Sequence, residues 1–265
     1  MIEAHNVSKW FDGQRILYGI NATFETGKTN LIIGQSGSGK TVFMKCLIGL
    51  LTPEEGEILY DGRKFRDLDN EQKRNLRTEI GMLFQGSALF DNETVLGNVM
   101  FPLKMFSPLS HEEQLDRAHF CIKRVGLENA DNKYPSEISG GMQKRVAIAR
   151  AIALNPRYLF CDEPNSGLDP RTSILIDNLL SDITHEYNIT TIINTHDMNS
   201  VLGIGENIIF INKGHCDWTG NDQNIFRSKC ESLNDFVFAS KLFREVKLVL
   251  EREHEAGNDT IGCKN

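Results

Sequence analysis

The chain has 265 residues, 40% of them hydrophobic and 25% charged, with a formal net charge of −7. That length allows a sizeable core in one large unit or two small ones, and that composition is the composition of ordinary soluble proteins. No stretch offers the roughly 20 consecutive apolar residues that cross a bilayer, and the acidic balance works against non-specific attraction to nucleic acid or to anionic lipid.

The opening, MIEAHNVSKWF, lacks the basic start and apolar run of a secretory leader, so the expected compartment is the cytosol. Alternating apolar and polar positions around the turns Asp12-Gly13 and Thr26-Gly27 predict antiparallel strands that lead into a buried strand at Leu31-Ile32-Ile33. A glycine-rich loop follows, and then Val42, Phe43, Leu47, Leu50 and Leu51 recur at helical spacing. TPEEGEILYDGRKF reads as a hairpin and EIGMLFQ as another buried strand. From about 86 to 156 the pattern turns helical, with Ser110 and Glu113 spaced as a capping box, and this segment is predicted to be a helical insertion. YLFCD and TTIINTH are strands separated by a helix from Arg171 to about His185, the alternation of parallel strands with crossover helices. A hairpin at Lys213-Gly214 closes the core by about residue 220. In the tail, 221–265, an amphipathic helix is predicted from about Ser240, with Leu242, Phe243, Val246, Val249 and Leu250 as its stripe, before an end read as frayed. The six cysteines show no metal-ligand spacing and read as buried or idle thiols.

The loop Gly34-Gln35-Ser36-Gly37-Ser38-Gly39-Lys40-Thr41 satisfies G-x-x-x-x-G-K-[ST] between a strand and a helix. Its glycines let backbone N–H groups turn inward around an anion at the positive end of the helix, and a triphosphate is the natural guest. Lys40 supplies charge at the β- and γ-phosphates and Thr41 a hydroxyl for Mg²⁺. In YLFCDEP a strand delivers Asp162 to hold hydrated Mg²⁺ and Glu163, turned to the other side of the strand, to polarise a water. The helix opened by Ser139-Gly140-Gly141 presents a second anion site, and His196 in IINTHD stands where an imidazole reaches a γ-phosphate. Each piece alone has a plain alternative: a flexible turn, an acidic strand end in solvent, a common loop tripeptide, a structural histidine. Their joint occurrence in one chain favours a nucleotide site.

From Val7 to about Gly220 these stretches resemble the ATP-binding-cassette (ABC) ATPase family: GQSGSGKT as the Walker A loop, MLFQ as the Q-loop, ISGGM as the signature, YLFCDE as Walker B and SGLD as the D-loop. Met142 departs from the usual glutamine of the signature. The resemblance implies an α/β P-loop NTPase (RecA-like) core, with an N-terminal antiparallel β subdomain and a helical insertion subdomain, over residues 1–220. It implies adenine stacking on Phe11, nucleotide contacts from Gly34 through Val42, metal contacts at Thr41, Gln85 and Asp162, and catalytic roles for Gln85, Glu163 and His196. It further implies Mg²⁺-dependent ATP hydrolysis in a head-to-tail homodimer, where Ser139, Gly140 and Gly141 of one copy close over ATP on the other. The dimer is expected to drive a separate multi-span permease from the cytoplasmic face of the cell membrane, with no nucleic-acid partner. FQGSALFDNETVLGNVMFPL is similar to the ATPases of Mla-type lipid transport systems, which work with MCE-domain binding proteins. A non-lipid importer ATPase is the alternative, and a soluble non-transport ABC ATPase a further one.

Overall fold

The computed structural model describes residues 1–239 together with Phe243 and Glu245. Strands β1 (Ile2–Phe11) and β2 (Gln14–Phe24) form a hairpin through Asp12 and Gly13, whose φ values of 48° and 79° are those a two-residue hairpin turn requires. Strand β3 (Thr29–Ile33) then enters the centre of the molecule and feeds helix α1 (Lys40–Leu47). Leu50 and Leu51 lie beyond the end of α1, and Leu50 is exposed, because Gly49 at φ 72° turns the chain out of the helix. Next come β4 (Glu55–Tyr60), β5 (Arg63–Lys64), helix α2 (Asn70–Thr78) and β6 (Ile80–Leu83). Helices α3 (Val95–Phe106), α4 (His111–Arg124) and α5 (Gly140–Ile152) follow, α4 opened by the Ser110/Glu113 capping box. The chain continues through β7 (Tyr158–Asp162), α6 (Pro170–Glu186), β8 (Thr190–Thr195), α7 (Met198–Ile204), the hairpin β9 (Asn207–Asn212) and β10 (His215–Gly220), and α8 (Glu231–Val237).

The strands make two sheets. Four antiparallel strands are ordered β2-β1-β4-β5, and six are ordered β10-β9-β3-β8-β7-β6, parallel except for β10. The central strands are buried on both faces and carry apolar runs at Leu31-Ile32-Ile33, Leu159-Phe160-Cys161 and Ile192-Ile193. Leu31, Ile33, Leu159, Cys161 and Ile193 face helices α3 to α7 in one core; Ile32, Tyr158, Phe160 and Ile192 face α1 and the smaller sheet in the other. The strand period of two assigns each side chain to its layer. Helix α8 extends the first core with Leu233 and Val237, and Phe243 packs beside them. The rest of the predicted 240–250 stripe lies outside the described residues. Cys46, Cys121 and Cys161 are buried; Cys216 and Cys230 are half-buried.

Register places the site. Leu83 pairs with Cys161, Asp162 with Asn194, and Ile33 with Thr195. The residues that follow, Gln85, Glu163, His196 and Gly34, therefore leave four adjacent parallel strands at one edge, the carboxyl end where α/β sheets bind ligands.

Candidate functional site

Between β3 and α1 the backbone turns through Gly34, Gly37 and Gly39 at φ 150°, 79° and 107°. A Cβ at Gly34 would sit 2.2 Å from the Ile211 carbonyl oxygen, and one at Gly39 would sit 2.9 Å from Leu17 Cδ2, so the tight course of the loop depends on glycine. The Gly214 N–H donates to the Ser38 carbonyl at 2.9 Å and braces the loop from behind. Lys40 is 6% exposed, and its Nζ donates to the carbonyls of Gly34 at 2.9 Å and Gln35 at 3.0 Å. Burial lowers the proton affinity of this amine, while the carboxylates of Glu163 and Asp162 raise it. Ser38 Oγ is buried without a partner among the described residues, an orphaned donor at the mouth of a helix N-terminus, as a phosphate cradle requires.

Asn194 on β8 organises the cation side. Its Nδ2 donates to Asp162 Oδ1 at 2.8 Å and to Thr41 Oγ1 at 3.3 Å, so one amide draws a carboxylate and a hydroxyl together. Asn194 Oδ1 is buried with no partner among the described residues. This set of hard oxygen atoms fits Mg²⁺, which neutralises developing charge on phosphate oxygens when bound. Asn194 carries no recognisable motif; its one signal is an amide inside an otherwise apolar and β-branched strand, one residue before Thr195-His196.

Glu163 reaches its position differently from the expected strand alternation. Strand β7 ends at Asp162, and Glu163 takes a left-handed φ of 49°, its N–H donating to the Asn194 carbonyl at 2.9 Å. The turn, rather than the pleat, separates the two acids. It aims Glu163 at His196, whose Nδ1–H donates to Glu163 Oε1 at 2.8 Å. A base held by a third group in this way can accept a proton from water.

Two predicted residues stand apart from this cluster. The Gln85 side chain donates to Ser166 Oγ at 3.4 Å and makes no hydrogen bond to Thr41 or Asp162, while Phe11 is 41% exposed at the end of β1, under Lys9 Nζ at 5.2 Å. Helix α5 grips the segment after Gln85: Lys144 Nζ donates to the Gln85 carbonyl, and Arg150 donates to the carbonyls of Ser87 and Ala88 at 2.7 Å each. Ser87 and Ala88 both hold positive φ, 61° and 48°, and these cations fix that strained pair. Ser139 caps α5 through Oγ, which accepts from the Met142 N–H at 3.3 Å. Ser139, Gly140 and Gly141 line a cavity of about 540 Å³ with Gly167, Leu168 and Asp169, and make no hydrogen bond to residues 34–41 of their own chain.

Behind the turn lies a buried acid that sequence reasoning passed over. Asp177 on α6 accepts from Asn165 Nδ2 at 2.8 Å; the same amide donates to Ser200 Oγ at 3.0 Å, and Ser200 is also hydrogen-bonded to the carboxylate. Burial raises its pKa to about 6, and the negative charge of Asp197 adds to the shift. The native state thus binds this proton more tightly than the unfolded chain does. Its contribution to stability is present at low pH, falls as the pH rises from about 4 to about 6, and is level above that.

The profile of the family described as ABC transporter matches residues 17–166. The chain belongs to that family. The methionine import ATP-binding protein MetN of Clostridium acetobutylicum is 36% identical over 237 residues, 89% of this chain and 74% of that protein. A probable ribonucleotide transport ATP-binding protein, mkl of Mycobacterium tuberculosis, is 37% identical over 214 residues, 81% of this chain and 60% of the relative. Among solved structures, the dimeric post-hydrolysis state of the ATP-binding cassette MJ0796 bound to ADP and Pi superposes with a TM-score of 0.75 at 35% identity, covering 84% of this chain and 99% of that one. The cassette cbiO1 of Clostridium perfringens, part of the cbiONQ complex, gives 0.81 at 30% identity and covers 94% and 98%. The fold is accordingly the P-loop cassette with its antiparallel β subdomain, and the chain is an ABC ATPase that binds ATP with Mg²⁺.

Proposed function

We propose that this chain is the ATP-hydrolysing subunit of a transporter, acting as a head-to-tail homodimer beneath a separate membrane permease. The convergence at one sheet edge of the glycine loop, the Asn194-linked pair Thr41 and Asp162, and the Glu163–His196 dyad carries this reading. In it, Lys40 and the loop hold the triphosphate, Thr41 and Asp162 hold Mg²⁺ with Gln85 joining on closure, Glu163 takes the proton of the attacking water, and His196 orients Glu163 and meets the γ-phosphate. Phe11, exposed at the end of β1, receives the adenine. The face at Ser139–Gly141 serves the other copy's nucleotide: two helix N-termini that repel through like partial charges are joined by an anion and part when it leaves.

Ser139→Arg tests the face in trans. The new cation should leave ATP binding to the single chain unchanged, abolish the ATP-bound dimer seen by light scattering, and cut turnover more than about tenfold. Wild-type turnover within a dimer would remove Ser139 from the site.

The permease is supported by exposed apolar side chains between Gln85 and the end of α3: Phe90 and Phe101, tilted against each other with centroids 4.5 Å apart, and Met105 and Phe106. Among the described residues no helix is long and apolar enough to cross a membrane, which fits peripheral attachment through such a partner. For the cargo, methionine import and ribonucleotide transport in the relatives' names favour a non-lipid importer over the Mla-type lipid reading, which rests on residues 84–103 and on the methionine that ends the signature ISGGM. Tagged chain drawn from detergent-solubilised membranes should bring a multi-span protein with it. A co-purifying MCE-domain protein would decide for lipid transport, and a solute-binding partner for import.

A further inference from the structure

The turn that carries Glu163 is strained. Its left-handed φ of 49° is one that a non-glycine residue keeps only under external restraint. Within the turn, the Ser166 N–H donates to the Glu163 carbonyl at 3.1 Å; from outside, the Glu163 N–H is held by Asn194 on β8. His196 and Gln85 reach the Glu163 and Ser166 side chains, and a further restraint from outside comes from Asn165, two residues on, whose side chain is drawn into the core by Asp177 and Ser200. Ser200 lies in α7, which begins two residues after His196. One buried carboxylate thus ties the segment bearing the candidate base to the helix that follows its histidine partner.

We propose that Asp177 is a positioning residue for ATP hydrolysis, locking the Glu163 turn to the His196 corner through Asn165 and Ser200. The inference rests on the roles proposed above for Glu163 and His196.

The chemistry of the cluster argues for this role over simple packing. Asp177 is 6% exposed and Ser200 1%. Among the described residues no basic side chain acts on the carboxylate: Asp197 at the start of α7 and the Cys161 thiol on β7 are the titratable groups in its field. Burying this charge costs free energy that its hydrogen bonds only partly offset, whereas removing it leaves the Asn165 and Ser200 donors short of an acceptor. What it adds is direction. With Ser200 Oγ it is the acceptor that turns the Asn165 amide inward, while Asn165 Oδ1 remains buried and, among the described residues, unpaired, a cost the arrangement bears in one orientation. Protonating Asp177 leaves a weaker acceptor for the same amide and loosens the tie between Glu163 and His196.

The test uses the full chain and two variants, Asp177→Leu and Asp177→Asn, with steady-state ATP turnover measured from pH 5 to 8 beside melting curves. In Asp177→Leu, kcat should fall about tenfold at pH 7.5 while KM stays within about twofold, measured well below the variant's own melting temperature, which the loss of an acceptor for Asn165 and Ser200 lowers. Asp177→Asn keeps an acceptor but cannot ionise, so its kcat profile should lack the wild-type change centred near pH 6. Wild-type kcat in the leucine variant, or a wild-type pH profile in the asparagine variant, overturns the proposal; should the leucine variant fail to fold, the asparagine profile alone decides. Glu163→Gln separates the two levels. If it is inactive while both Asp177 variants behave as wild type, the tie fails and the base stands; if it is active, the underlying reading fails.

Discussion

Glu163→Gln will bind MgATP with wild-type affinity and turn it over at least about a hundredfold more slowly. The variant keeps what the structure uses to hold residue 163: the N–H bond to the Asn194 carbonyl at 2.9 Å and the left-handed turn are backbone features. Glutamine is also close in shape, and its amide oxygen can still accept from His196 Nδ1, 2.8 Å away in the parent. What disappears is basicity, since an amide takes no proton from water. Lys40, Thr41 and Asp162 are untouched, so the ground-state complex survives while the step after it does not. Because ATP persists between two helix N-termini, the dimer should accumulate; size-exclusion chromatography in MgATP would show a shift absent with ADP. Turnover near wild type would remove Glu163 as the base and point to His196 or solvent. Loss of ATP binding would instead show that the negative charge at 163 shapes the loop, through its field on Lys40.

Much of this architecture is written in local pattern, and the exceptions share a cause. The phosphate loop is legible because its requirement is a backbone one: positive φ at Gly34, Gly37 and Gly39 demands glycine in a fixed order. Strands β3, β7 and β8 are legible because burial on both faces forces continuous apolar runs. Helix α2 was passed over although Asp69 and Gln72 form a reciprocal capping box, since its polar sequence offers a single buried side chain, Leu76, and so no apolar stripe. The polar ties were hidden for another reason. Asn194, Asn165, Asp177, Ser200 and Lys144 act through partners 12 to 153 positions away, and an isolated Asn or Ser in a string of residues carries no spacing that marks it. The separation of Asp162 from Glu163 was expected from strand alternation and comes from a turn, because the strand ends one residue sooner. Where one side chain's function depends on a register between strands, the sequence names the residue only after the sheet is built.

Lys40→Ala should weaken ATP binding by at least about a hundredfold, or about 2.7 kcal/mol, without lowering stability. The first half follows from charge and position. Lys40 is the loop's only lysine, and its Nζ lies across the mouth of the cradle on the carbonyls of Gly34 and Gln35. Helix α1 supplies partial positive charge and N–H groups, but a triphosphate brings several negative charges, and a hydrogen bond to a charged group contributes about 1.5–3 kcal/mol. Two such bonds to phosphate oxygens account for the expected loss. The second half follows from burial. With 6% of its surface exposed, the ammonium is costly to bury, which is why its proton affinity is lowered, so alanine relieves a penalty while giving up two bonds to carbonyls that solvent can then reach. Equilibrium binding of a fluorescent ATP analogue and a melting curve measure the two halves separately. Unchanged affinity would show that the glycine loop is a turn and not a cradle, and with it the reading of the whole sheet edge would fall. A melting temperature well below wild type would show that Lys40 braces the loop more than it awaits a phosphate.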